Sequence, residues 1–149
     1  MKIYLAAQFG EPNSEKRHNV EKASQILKDK GFEVFEPWGY RIPNAWDYPN
    51  SEWGLMVFMN DVKALDSADM VVALTYGRES TAGSNWEMGY AFAKEKKIIL
   101  VEMTDNIMSV MVANGRYATV KGLDELKNYD FDKMPKTRSN TEQKWNTMI

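Results

Sequence analysis

Three features of the sequence predict a doubly wound α/β fold. Short β-prone runs alternate with stretches of helical spacing, the central runs are apolar at every position, and polar or Gly/Pro/Asn-rich segments separate several of them. Alternation at this spacing implies βαβ crossovers and therefore a parallel sheet. Five strands favour a flavodoxin-like order, a five-stranded parallel sheet flanked by helices. At 149 residues and 17.2 kDa, the expectation is a single domain over residues 1–149, with 130–149 an extended C-terminal tail.

The first strand is expected at Lys2–Ala6, followed by turn formers from Gln8 to Asn13. Val20, Ala23, Ile26 and Leu27 then fall at helical spacing between Ser14 and Lys30, with Gly31 where a helix-ending glycine belongs. Phe32–Glu36 alternates as a second strand. Pro37–Asn50 holds three prolines and four aromatics without a period, so it reads as a long functional or mobile loop. Ser51–Leu65 is helical in pattern, with Ser51 placed to cap it.

Met70–Thr75 is a continuous apolar run suited to a strand covered on both faces. A polar loop, Tyr76–Gly83, leads to a helix over Ser84–Lys94 whose Ser84-x-x-Glu87 opening has the form of a capping box. Ile98–Val101 is a buried strand, Asn106–Ala113 a short helix, Tyr117–Val120 the fifth strand and Leu123–Tyr129 the last helix. Beyond it Phe131, Met134 and Trp145 interrupt a mostly polar tail. Ligands of such sheets bind beyond the carboxyl ends of the strands, which singles out Ala7–Asn13, Pro37–Asn50, Tyr76–Ser84 and Met103–Asn106.

Composition narrows the chemistry. Hydrophobic residues at 44% and charged residues at 27% exclude a disordered or fibrous class. Nineteen Lys and Arg against 21 Asp and Glu leave a net charge of -2, which does not suit a nucleic acid polymer or an anionic membrane as partner. With no cysteine and His18 as the single histidine, thiolate chemistry and multi-histidine metal sites are excluded, and no cofactor or metal is expected. No apolar run approaches a membrane span and the N-terminus does not read as a signal peptide, so a cytoplasmic protein is expected. There is no GxGxxG, no GxxxxGK[ST] and no G-x-S-x-G. Carboxylates, hydroxyls, lysines and backbone groups must carry any catalysis.

Glu87 lies just after the loop that follows the most buried strand. Its residue type and position fit a catalytic carboxylate, a capping carboxylate or an idle surface group, and the helix dipole would favour its ionised form in either of the first two roles. Asp61 lies on a helix among Phe58, Val62 and Leu65, where a solvated aspartate is the ordinary reading. Tyr4, inside the first strand, reads as a buried aromatic whose hydroxyl requires a partner.

Three segments occur in order: Lys2-Ile3-Tyr4-Leu5-Ala6-Ala7; Asn60-Asp61-Val62-x-x-Leu65-x-x-Ala68-Asp69-Met70-Val71-Val72; and Gly83-Ser84-x-Trp86-Glu87-Met88-Gly89-Tyr90-Ala91-x-Ala93 before Lys97–Val101. Together they resemble the nucleoside 2-deoxyribosyltransferase family over roughly Lys2–Tyr129. The resemblance implies that Glu87 attacks the anomeric carbon of a 2'-deoxynucleoside, that Tyr4 orients it, and that Asp61 arranges the site around the sugar. It implies Gln8 and Phe9 near the base, Trp38, Tyr40 and Trp46 as stacking candidates, and Gly83 and Ser84 as possible phosphate donors. Free nucleobase is the second substrate. The implied assembly is a homodimer or homohexamer in which Met108–Gly115, with Asn114, meets a neighbour's site.

This chain departs from the family pattern in two places. Thr81 and Ala82 stand where many members carry an aspartate that protonates the base, and the frequent C-terminal tyrosine is absent from Asn146-Thr147-Met148-Ile149. A related branch hydrolyses deoxynucleoside monophosphates. N-glycoside hydrolysis is therefore the alternative, with a non-catalytic nucleotide-binding module of the same fold as a further one.

Overall fold

In the computed structural model, residues 1–39, 41–139, 142 and 145 are described. Five parallel strands form one sheet: β1 (Lys2–Ala6), β2 (Glu33–Phe35), β3 (Met70–Thr75), β4 (Lys97–Glu102) and β5 (Ala118–Lys121), in the order β2-β1-β3-β4-β5. The strand order reverses between β1 and β3. Their register pairs Tyr4 with Phe35 on one side and with Val71 on the other. The flavodoxin-like expectation holds.

The crossovers are helical. α1 (Glu15–Asp29), α2 (Asn50–Ser67), α3 (Ala82–Ala93), α4 (Val110–Asn114) and α5 (Gly122–Asn128) complete the chain order. Because side chains alternate along a strand, the sheet divides its residues between two cores. Ile3, Leu5, Val72, Ile99 and Val101 pack with Val20 and Leu27 of α1 and Leu126 of α5. Tyr4, Ala6, Val71, Ala73 and Leu100 face the other way, toward Leu65 of α2, Met88 and Ala91 of α3, and Ala113 of α4. The tyrosine of β1 thus belongs to the α2–α3 side.

Several boundaries differ from the sequence reading. Pro37–Asn50 is not wholly irregular, since Pro37–Gly39 and Ala45–Asp47 form 3₁₀ turns. Ser51 does not cap α2: the helix begins at Asn50 after Pro49, whose fixed φ and missing amide end the loop. The helix expected at Asn106–Ala113 forms only from Val110, because Met108 is drawn into the core and its carbonyl accepts from Trp145 Nε1 at 3.1 Å. Phe131 and Met134 of the tail pack on the α1–α5 core. Thr119 N–H donates to the Thr137 carbonyl at 3.1 Å, and the Thr137 hydroxyl donates to the Thr119 carbonyl, which covers the open edge of β5.

Gly77 joins β3 to the loop before α3 with φ +74°, and a Cβ there would stand 2.6 Å from the Asn106 Cβ and 3.0 Å from its carbonyl oxygen. Gly77→Ala is expected to destabilise the protein by roughly 2–3 kcal/mol, read as a fall in thermal midpoint, since both the conformation and the contact oppose a side chain. An unchanged midpoint would show that the 104–107 loop yields freely.

Candidate active site

Tyr4, Asp61 and Glu87 come together on the α2–α3 side of the sheet. Tyr4 is fully buried, its ring stacks on Phe35 at 5.2 Å, and its hydroxyl donates to Glu87 Oε1 at 2.9 Å. Asp61 is near enough to raise the pKa of both. On α2, Asn60 and Asp61 continue the stripe of Ala64, Leu65 and Ala68 by one turn toward the ligand edge of the sheet. Asp61 Oδ1 and Asn60 Nδ2 are both shut off from solvent with no hydrogen-bond partner. An acceptor and a donor in that condition are costly unless a ligand satisfies them.

The capping reading of Glu87 is overturned. α3 starts two residues earlier than expected, with Thr81 as its cap: the Thr81 hydroxyl accepts from Ser84 N–H at 3.3 Å and donates to Ser84 Oγ at 3.1 Å. Ser84 is the third helical residue, and Glu87 lies in the second turn, beyond the reach of the terminal dipole. Burial therefore dominates its ionisation. Dehydration, joined by the nearby Asp61 charge, raises the Glu87 carboxyl to about 7 against the lowering effect of the Tyr4 hydrogen bond. Burial alone raises Asp61 to about 6.

These shifts have a consequence for stability. In the unfolded chain Glu87 titrates at the ordinary value of 4.5, and in the folded chain at about 7. Between those values the folded state holds more protons, so its stability falls as pH rises through that window. Glu87→Gln is expected to match the parent at about pH 4 and to exceed it by about 1–2 kcal/mol at about pH 8, allowing for partial exposure. Thermal melts at the two pH values check this. Equal differences at both would mean that the carboxylate is not strained by burial.

α2 and α3 are held at a set spacing by an aromatic ladder. Trp86 meets Phe58 edge-on at 5.3 Å and stacks on Tyr90 at 5.4 Å, and the Tyr90 hydroxyl donates to Asp66 Oδ1 at 2.7 Å. The ladder fixes the helix that carries Asp61 against the one that carries Glu87.

The remaining residues singled out from sequence lie elsewhere around the sheet edge. Gln8 and Phe9 occupy the β1–α1 loop, where Phe9 is stacked on Trp38 at 5.2 Å and covered on its ring by the Arg17 guanidinium at 3.9 Å. Gly83 is exposed in the first turn of α3. Trp46 is 84% exposed in the 3₁₀ turn before α2, away from any aromatic partner among the described residues. Tyr40 lies outside the described residues. Asn114 is exposed on α4, its Nδ2 bonded to the Val110 carbonyl at 2.8 Å, and it lines a cavity of about 400 Å³ with Met88, Phe92 and Met111. Glu87 is not among the residues lining that cavity.

Sequence reasoning gave no role of its own to Asn60, Lys16 or Arg17. Nothing in local pattern distinguishes Asn60 from a solvated helix residue, and the two cations look like ordinary first-turn residues until the loop before them folds back.

A 2-1-3-4-5 parallel sheet carrying a half-buried, tyrosine-oriented glutamate beside a second carboxylate defines a flavodoxin-like α/β protein with a two-carboxylate site. The profile of the nucleoside 2-deoxyribosyltransferase family matches residues 3–145, and the chain belongs to that family. Among solved structures it is similar to the 2-deoxyribosyltransferase of the psychrotolerant bacterium Bacillus psychrosaccharolyticus, at 30% identity and a TM-score of 0.84, over 93% of this chain and 99% of that one. The fold is shared with the CMP N-glycosidase BcmB of Clostridium botulinum, at 18% identity and a TM-score of 0.59 over 86% and 96% of the two chains. It is shared also with a conserved protein from Enterococcus faecalis V583, at 21% identity and a TM-score of 0.58 over 95% and 92%. No curated protein sequence matches.

Among the described residues, no group of three or more His, Cys, Asp or Glu is arranged to hold a metal ion, and no helix is long and apolar enough to cross a membrane.

Proposed function

We propose that the chain is a nucleoside 2-deoxyribosyltransferase that exchanges the base of 2'-deoxyribonucleosides through a covalent deoxyribosyl–Glu87 ester. The Tyr4–Glu87 hydrogen bond carries this reading, because it aims one carboxylate oxygen of a partly dehydrated glutamate while the other has no hydrogen-bond partner among the described residues. That free oxygen attacks C1' as the C1'–N bond breaks, and the electron pair stays on the departing base nitrogen, which takes a proton. A second nucleobase then attacks C1' from the opposite side through a ring nitrogen, its N–H proton returns to the group that protonated the first base, and the glutamate leaves as carboxylate. A 2'-deoxy sugar suits the oxocarbenium-like transition state because no electron-withdrawing 2'-hydroxyl opposes the developing charge.

With Thr81 and Ala82 at the start of α3, Asp61 is the group we assign to protonate the base or relay the proton. Its carboxyl is held at about 6, which keeps a protonated fraction near neutrality.

Incubation with deoxyinosine or thymidine plus free adenine or cytosine tests the proposal, and a new deoxynucleoside by chromatography is the expected result. Free base without exchange would replace transfer by hydrolysis, and no product from any pair would remove both. The proposed assembly is a homodimer or homohexamer using Met108–Gly115, where Met111 is 83% exposed. Light scattering of the purified chain reads its mass, and a monomer would end that part of the proposal.

A further inference from the structure

Two cations at the start of α1 hold the loop that follows β1. Lys16 Nζ donates to Gln8 Oε1 at 2.8 Å and stands 4.8 Å from the centre of the Tyr76 ring. Arg17 Nη2 donates to the Gly10 carbonyl at 3.0 Å while its guanidinium covers Phe9. The turn itself is tight: Gly10 has φ +74°, and a Cβ there would stand 2.6 Å from Ser14 Oγ. Gln8 follows the end of β1 and Tyr76 the end of β3. The strand order reverses between these two, and ligands of doubly wound sheets bind at that point.

An ammonium group has donors only. The atom of Gln8 facing Lys16 must therefore be its oxygen, which settles an amide orientation that is otherwise a matter of assignment. Nε2 turns away with two N–H groups, and among the described residues none accepts from it. Gln8 is partly exposed, so those donors are open to a ligand.

The geometry points to Gln8 as the residue that selects the base, with Lys16 as its positioning residue. Presenting donors and no acceptor, the pair takes 2'-deoxynucleosides whose base carries an oxo group at C4 of a pyrimidine or C6 of a purine. This rests on the transferase reading. With C1' at Glu87, the exocyclic substituent is the part of the base farthest from the sugar, so a base reaching from Glu87 across the β1–β3 switch point presents it to the β1–α1 loop. An amino group there sets donor against donor. Without Lys16 the amide turns over and offers its oxygen to that amino group.

The test compares kcat/KM for deoxyinosine with deoxyadenosine, and for deoxyuridine with deoxycytidine. Calorimetric Kd values for hypoxanthine and adenine accompany it. The parent is expected to favour the oxo member of each pair by roughly 10- to 100-fold. Lys16→Arg, which also donates only, keeps the ratio. Lys16→Met brings it to within about threefold of unity, and Gln8→Glu, an acceptor only, turns it toward the amino member. A parent ratio near unity, or a Lys16→Met variant that loses both members equally, overturns the inference while transfer stands. Selective binding of hypoxanthine with no turnover of any nucleoside removes the transferase reading and leaves the selector in place. Absence of both binding and turnover removes both.

Discussion

Glu87→Ala is expected to lower turnover by on the order of 10⁴-fold or more, because in the proposed mechanism the residue forms and breaks the bond to C1' and no neighbouring group can replace it. Asp61 is the other carboxylate of the site, but it lies on a different helix and is not oriented by the Tyr4 hydroxyl. The loss should fall on kcat and kcat/KM together, since the interaction exists only once the ester begins to form. Intact-mass spectrometry supplies an independent readout. After mixing with a 2'-fluorinated deoxynucleoside the parent should gain the mass of one sugar, because fluorine slows attack on the ester as well as its formation, whereas Glu87→Ala and Glu87→Gln should gain nothing. A Glu87→Ala protein of full activity, or an adduct mapped to another residue, would reassign the nucleophile.

Tyr4→Phe is expected to cost roughly 10²-fold in kcat/KM and to move the pH profile. Burial, together with the negative charges of Glu87 and Asp61, pushes the Tyr4 hydroxyl far above its ordinary range, so it remains a donor at every working pH. Its bond lowers the Glu87 carboxyl, and without it Glu87 should titrate above about 7. In the proposed mechanism the nucleophile Glu87 must be ionised and the proton donor Asp61 protonated. The parent profile is therefore a bell whose limbs, near 6 and 7, belong to the coupled pair rather than to either residue. In Tyr4→Phe the maximum moves to higher pH. In Asp61→Asn the alkaline limb should vanish, leaving a single rise set by Glu87, and a surviving alkaline limb would place the proton donor elsewhere. A Tyr4→Phe profile that drops in height with no change of position would reduce Tyr4 to packing.

Much of the fold was legible because its signals are local. Lys2–Ala6 and Met70–Thr75 are apolar and short, Ser14 begins a helix whose buried residues recur at the expected interval, and alternation of the two element types dictates parallel strands. The legible part of the site rested on ordered motifs around Tyr4, Asp61 and Glu87, and the structure brings these three together. What misled was also local. Ser84 and Glu87 have the spacing of a capping box, yet Thr81, three residues before Ser84, takes the cap and carries Glu87 out of the first turn.

By itself, then, the sequence determined the order of elements and the chemical repertoire, since periodicity, turn residues and the absence of thiols are properties of neighbours along the chain. Only the tertiary structure decided which ionisation state each carboxylate favours and which way the Gln8 amide faces. Glu87 stands above its ordinary range because the fold takes part of its water away, and Tyr4, 83 positions earlier, is the group that hydrogen-bonds it. Dehydration and long-range hydrogen bonds depend on what surrounds a side chain in space, and no periodicity in the sequence records that.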